Sequence, residues 1–139
     1  MNYTYEQLKS DPAFTQSLGE MVLAVGFLEL ALSDFLTKQG ITVKEKVPLG
    51  VLIRKMKNAK KRNDKNDTVS EHLGFLLSQR NYYIHNIIHN ISRFMSGYEI
   101  DDNEMKMFIN RTQSIRDEAE FFAALFTKIH SGTVAKPDV

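Results

Sequence analysis

Leu18-Gly19-Glu20-Met21-Val22-Leu23-Ala24-Val25-Gly26-Phe27-Leu28-Glu29-Leu30-Ala31-Leu32-Ser33-Asp34-Phe35-Leu36 decides the fold class. Apolar side chains at Leu18, Met21, Val22, Val25, Leu28, Leu32, Phe35 and Leu36 recur at three- and four-residue steps, which is the period of a helix. Asp11-Pro12 predicts the start, with Pro12 at the first helical position, and Gly40 predicts the stop. Leu23, Phe27, Leu30 and Ala31 fall off the main stripe, so this helix is apolar almost all round. Two apolar faces predict burial in a bundle on one side and a second chain on the other. Deep burial within one chain is the alternative. Glu29 breaks the apolar run and either pairs with a cation from another helix, with Arg80 the best candidate, or sits at a solvated edge.

Outward from this helix the same period continues, and strand alternation is missing. Pro48 opens a shorter helix with Leu49, Leu52, Ile53 and Met56 inward and the lysines outward. The run Lys60-Lys61-Arg62-Asn63-Asp64-Lys65-Asn66-Asp67 is polar and reads as a connecting loop. A further helix is predicted from about Thr68, where Thr68-Val69-Ser70-Glu71 fits a capping box, to Gly97. Its stripe is Leu73, Leu77, Ile84, Ile88, Ile91 and Met95. The last helix begins near Asp101-Asp102-Asn103-Glu104, where acids complement the helix dipole. Met105, Phe108, Ile109, Thr112, Ile115, Ala119, Phe122, Phe126 and Ile129 form its stripe. The expected fold is an all-α antiparallel four-helix bundle, with room for a short extra helix at the N-terminus. One domain is expected over 1–139, with its core at about 12–130 and a fraying tail at 131–139.

Composition narrows the class. With 139 residues, 42% hydrophobic and 25% charged, the chain suits one soluble domain that needs no staples. There is no cysteine, which removes thiolate chemistry and cysteine-held zinc. No apolar run is long enough to span a bilayer, and the N-terminus lacks signal-peptide features. A cytoplasmic protein with no membrane partner is expected. The net charge of +1 is unevenly spread: residues 44–65 hold nine of the 18 Lys/Arg and two of the 17 acids. That segment carries +7 and the rest of the chain −6, so Arg54, Lys55, Lys57, Lys60, Lys61 and Arg62 are candidates for holding an anionic polymer. A solvated helix face is the other reading of such a run.

The segment richest in chemistry is Gln79-Arg80-Asn81-Tyr82-Tyr83-Ile84-His85-Asn86. Arginine holds phosphate in bidentate fashion, and histidine moves protons near neutral pH. At 100° per residue Arg80 lies about 40° from the centre of the apolar stripe, a slot that periodicity gives to a core residue. Asn81 and His85 are helical neighbours, and Asn81 can fix the imidazole or donate to a phosphate. Arg80 and His85 diverge by about 140° around the axis, so one helix holds them awkwardly around one phosphate.

Arg80, Asn81 and His85, spaced as arginine, polar residue and histidine after four intervening positions, resemble the signature of HEPN (higher eukaryotes and prokaryotes nucleotide-binding) domains. Gly26-Phe27-Leu28-Glu29 and the Pro48-Leu49-Gly50 helix start also look like bundles of this group, over roughly residues 15–130. The resemblance implies a homodimeric ribonuclease of the toxin or defence kind, acting without metal or cofactor and leaving 2′,3′-cyclic phosphate and 5′-hydroxyl ends. It would give His85 the proton transfers, Arg80 the phosphate charge and Asn81 the orientation of either group. Glu29, His89 and Tyr82 would support the site, and Tyr82 could stack on a base. A protein antitoxin or regulator would be a further partner. Two residues past the histidine, where toxins paired with a nucleotidyltransferase antitoxin carry a modifiable tyrosine, this chain has Ile87.

Other readings remain. His85 and His89 have the spacing of a helical zinc pair, but Asn86 stands where the usual glutamate would, and no third ligand is evident. His72 and His130 read as surface residues. The serious rival is a non-catalytic helical dimer that binds protein or nucleotide, similar to the mannitol operon repressor. Arg80 would then be a structural ion-pair residue. Catalysis requires Arg80, Asn81 and His85 to converge on an open, positive cleft.

Overall fold

In a computed structural model the chain is described over residues 3–44, 46–59, 64–94 and 101–131, with the side chains at 5, 64–67, 85–94 and 129–131 outside the description. Five α-helices succeed one another there: α1 (Tyr5–Ser10), α2 (Pro12–Lys38), α3 (Leu49–Lys57), α4 (Asp64–Phe94) and α5 (Asp102–Ser131). The all-α expectation stands, and the short N-terminal helix is present.

Local chemistry sets most of the helix ends. Asp11 caps α2, its Oδ1 accepting from the Phe14 N–H at 2.8 Å, and Pro12 follows at the first position. Gly40, at φ +84°, takes the left-handed conformation that lets the Ile41 N–H reach back to the Leu36 carbonyl at 3.0 Å. Asp101 and Glu104 cap α5 reciprocally: the Glu104 N–H donates to Asp101 Oδ1 at 2.8 Å and the Asp101 N–H donates to Glu104 Oε1 at 3.5 Å. Pro48 heads α3 and has no side chain that can cap it.

The main seam is α2 against α5. Phe14 stacks on Phe108, Glu20 pairs with Arg116, and Phe35 meets Phe126, so the two helices run in the same direction. Tyr83 meets Phe108 while His72 meets Phe122, so α4 runs opposite to α5. Since α3 spans only nine residues, α4 makes the return leg. The antiparallel expectation therefore holds for α4, and the α2–α5 seam departs from it.

Met21, Leu28, Leu32, Leu49, Leu52, Leu73, Leu76, Ile115 and Ala123 are among the side chains sealed in one core. Each large one contributes roughly 1.5–3 kcal/mol by its burial. Leu8, Phe14 and Met105 make a smaller cluster where α1 folds over the start of α5.

Three details of the predicted pattern shift. The buried stripe of α2 centres on Met21, Leu28 and Leu32 and is flanked by Ala24 and Ala31. Val22 lies about 100° from Met21 and faces outward with Leu23, Phe27 and Leu30. On α4, Leu76 joins Leu73 in the core and Leu77 is half-buried; Ile88, Ile91 and Met95 fall outside the description. The helix begins at Asp64 and not near Thr68, so the second half of the predicted loop is helical. Thr68-Val69-Ser70-Glu71 is then helix interior, and Ser70 is buried with no hydrogen-bond partner for its hydroxyl. No described helix is long and apolar enough to cross a membrane.

Candidate functional site

The site is built around one carboxylate that touches three helices. Glu29, from the middle of α2, accepts from the Leu49 N–H through Oε1 at 3.2 Å. It thereby supplies α3 with the cap that Pro48 cannot, and places negative charge at the positive end of that helix. The same oxygen lies 3.8 Å from Nη2 of Arg80 on α4. The pairing expected of Glu29 is present, but at this distance it is an ion pair and not a hydrogen bond. Both partners keep contact with water, with Arg80 28% and Glu29 30% exposed.

Arg80 makes one short bond. Its Nη1 donates to Asn81 Oδ1 at 2.8 Å. Arginine has only donors, so the amide oxygen of Asn81 must face it, which leaves the Asn81 NH₂ group as two outward donors. Asn81 therefore steers the guanidinium. The expected orientation of His85 by Asn81 lies outside the described side chains, as do the positions of the His85 and His89 rings.

Beside this pair runs a groove of about 290 Å³ between α2 and α4, walled by Val22, Val25, Gly26 and Glu29 on one side and by Arg80 and Ile84 on the other. Its lining is mostly apolar, with one cation and one anion. It is open, as catalysis requires, but its charge is balanced and the expected strongly positive cleft is not seen here. Tyr82 does not contribute to it. Tyr82 is exposed about 160° around α4 from Arg80 and meets Tyr83 edge to face at 5.3 Å; Tyr83 in turn meets Phe108 at 6.0 Å.

The basic segment forms a second feature. Arg54, Lys55 and Lys57 occupy the last turn of α3, where cations suit the helix dipole. Arg54 and Lys55 line a hollow of about 550 Å³ with Ile41, Val51, Asn58 and Ala59. Because α3 begins at Leu49, where Glu29 caps it, and rises 1.5 Å per residue, this hollow lies on the order of 10 Å along its axis from that cap. Lys60, Lys61 and Arg62 are outside the described residues.

A different arginine shows what full structural commitment looks like in this protein. Arg116 of α5 places Nη1 2.8 Å from Glu20 Oε2, and Nε and Nη2 each 2.8 Å from Asp117 Oδ1. Arg116 and then Gln16, by hydrogen bonding, hold the Glu20 carboxyl below the usual carboxylate range. The Asp117 and Glu20 carboxylates push the Arg116 guanidinium above its ordinary value. At the start of α5, a hydrogen bond to Asp102 raises the Tyr3 phenol above its ordinary value. Neither Arg116 nor the capping role of Glu29 was read from the sequence. The signal for the cap was there: a proline that begins a helix without a capping side chain, and one acid in an otherwise apolar run.

No family model, curated protein or solved structure matches this chain.

Proposed function

We propose that this chain is a metal-independent endoribonuclease of HEPN type, built on an HEPN-like four-helix bundle of α2 to α5 and working in the cytoplasm as a toxin or defence protein. The observation that supports the reading best is the state of Arg80. It sits at an open groove with one hydrogen bond to Asn81 and a loose ion pair to Glu29. Among the described residues, a hydrogen bond takes one of its five N–H donors, and a phosphate needs two. Arg116, by contrast, has all three nitrogens directed at carboxylates.

In this reaction the ribose 2′-oxygen attacks the adjacent phosphorus, the P–O2′ bond forms and the P–O5′ bond breaks. His85 takes the proton from the 2′-hydroxyl or returns one to the departing 5′-oxygen, and a second proton-transfer group takes the other role. Arg80 holds the non-bridging oxygens as their charge grows, and Asn81 keeps the guanidinium aimed. Arg54, Lys55 and Lys57, with Lys60, Lys61 and Arg62 beyond them, hold flanking phosphates and set affinity without sequence preference.

A second reading draws on Glu29. Because its carboxylate joins α2, α3 and α4 through Leu49 and Arg80, the same residues suit a non-catalytic helical module that binds protein or nucleotide. An RNA cleavage assay in excess EDTA decides between them. Wild type should cut and leave cyclic phosphate ends, and folded His85→Ala and Arg80→Ala should lose at least 100-fold in rate. Intact RNA after incubation with folded wild-type protein, across structured and unstructured substrates, would establish the binding module instead.

A further inference from the structure

The groove beside Arg80 carries both of its charges at one end. Val22, Val25, Gly26 and Glu29 succeed one another at three- and four-residue steps on α2, and Arg80 and Ile84 face them from α4. The two helices run in opposite directions, so Glu29 stands level with Arg80 while Val22 and Val25 lie towards Ile84. From the charged end an aliphatic channel extends about 6 Å to Ile84 and about 10 Å to Val22, at 1.5 Å per residue. Gly26 gives the channel its width. A Cβ built there meets no atom within 4 Å, so no part of the protein fills this place.

Neither charge is fully used. Among the described residues Arg80 has one hydrogen bond, to Asn81. Glu29 commits Oε1 to the Leu49 N–H, and no hydrogen bond among those residues engages its Oε2. The two groups approach to 3.8 Å without a hydrogen bond between them, and each is about a third exposed at the groove.

This arrangement selects among ligands. A simple anion is drawn by Arg80 and repelled by Glu29, and a simple cation meets the reverse. A ligand with both charges is attracted by both residues and leaves neither unpaired. In an α-amino acid the ammonium and carboxylate sit on one carbon, a short spacing that suits a pair 3.8 Å apart. Its side chain then lies along the channel, where Val25 is buried and Val22 forms the lip. The volume of about 290 Å³ falls at the lower limit of small-molecule sites, which begin at about 300 Å³.

From these observations we infer that the Glu29–Arg80 groove binds a free α-amino acid with a branched aliphatic side chain. Arg80 takes the carboxylate, Glu29 takes the ammonium through Oε2, and the side chain packs on Val25 and Ile84. The inference goes beyond the ribonuclease reading and does not rest on it. In a ribonuclease this ligand competes with RNA for Arg80, and in a binding module it is the effector.

The test reads binding, not cleavage. In calorimetry L-leucine should bind wild type with a Kd on the order of 1 mM. Two analogues each lack one charge: 4-methylpentanoate has no ammonium and L-leucinamide no carboxylate. Both should bind at least about tenfold more weakly. Glu29→Gln should weaken leucine by about tenfold and leave 4-methylpentanoate unchanged or tighter, a reversal that loss of structure does not produce. Gly26→Leu fills the channel without touching either charge and should abolish leucine binding with helicity retained by circular dichroism. It decides the matter if Glu29→Gln does not fold. No binding of leucine up to about 20 mM overturns the inference. So does equal affinity for leucine and either analogue, or leucine binding that survives both substitutions. Leucine binding by a protein that cuts no RNA upholds the inference and removes the ribonuclease, whereas cleavage without leucine binding does the reverse.

Discussion

Substituting Glu29 by alanine and, separately, by glutamine divides the two tasks of this carboxylate. Alanine removes both the acceptor for the Leu49 N–H and the charge beside Arg80. Loss of a side-chain cap costs about 0.5–2 kcal/mol. The ion pair, at 3.8 Å with both side chains about a third exposed, is worth a few tenths of a kcal/mol to about 1. Alanine should therefore destabilise by roughly 1–2.5 kcal/mol, read by urea or thermal denaturation. Glutamine keeps an acceptor oxygen for Leu49 and loses only the charge, so its cost should stay near 0.5 kcal/mol. At the groove the order reverses in interest. Both variants free Arg80 from its anion, and inorganic phosphate followed by calorimetry should bind a few-fold more tightly to each than to wild type. Equal destabilisation by alanine and glutamine would refute the capping role. Unchanged phosphate affinity in both would refute the view that Glu29 competes for Arg80.

Two further substitutions probe the scaffold away from the groove. Ser70→Ala removes a buried hydroxyl that has no partner and should leave stability unchanged or raise it by about 1 kcal/mol in urea denaturation; a loss of that size would mean the hydroxyl is bonded in solution. Arg116→Met unties α2 from α5 and releases Glu20. The carboxyl of Glu20 is held below its unfolded value, so its contribution is complete above the unfolded pKa and fades as pH falls through the lower folded one. Melting curves of wild type and Arg116→Met should therefore differ most near pH 6–7 and converge below about pH 4, and a constant gap across that range would exclude this linkage.

What could be read in the sequence was local. Asp11-Pro12, Gly40, Pro48 and Asp101 mark helix ends through backbone chemistry that acts within a few residues, and each lies at the expected boundary. The inward residues of α3 were also plain, because a nine-residue helix with one apolar edge can be turned only one way. Val22 faces outward although it fits the apolar period, because several apolar faces of α2 satisfy the same period. Only the position of α5 selects among them, and that is tertiary information. The start of α4 lies earlier than the sequence suggests, because the polar run 60–67 has no apolar anchors and reads as a loop. A helix needs no apolar anchor in its first turn, because packing of its later turns supplies most of its stability. At the site, the pairing of Glu29 with Arg80 was legible from two residues that each broke a pattern. The third contact, with the Leu49 N–H, was not, because a backbone donor leaves no trace in residue identity.

The groove also shows why one arginine serves scaffold and ligand at once. A guanidinium fully bonded to carboxylates, as in Arg116, joins helices but has little left to give an anion. One with no partner at all would swing freely and lose entropy on capture. Arg80 lies between these extremes. The 2.8 Å bond to Asn81 fixes its plane, and the 3.8 Å approach of Glu29 screens its charge without occupying its donors. An anion entering the groove therefore meets a cation already oriented, and it need not break a short salt bridge to bind. Orientation by Asn81 and loose restraint by Glu29 act together on one guanidinium, and they leave it aimed into the groove with its charge only partly offset.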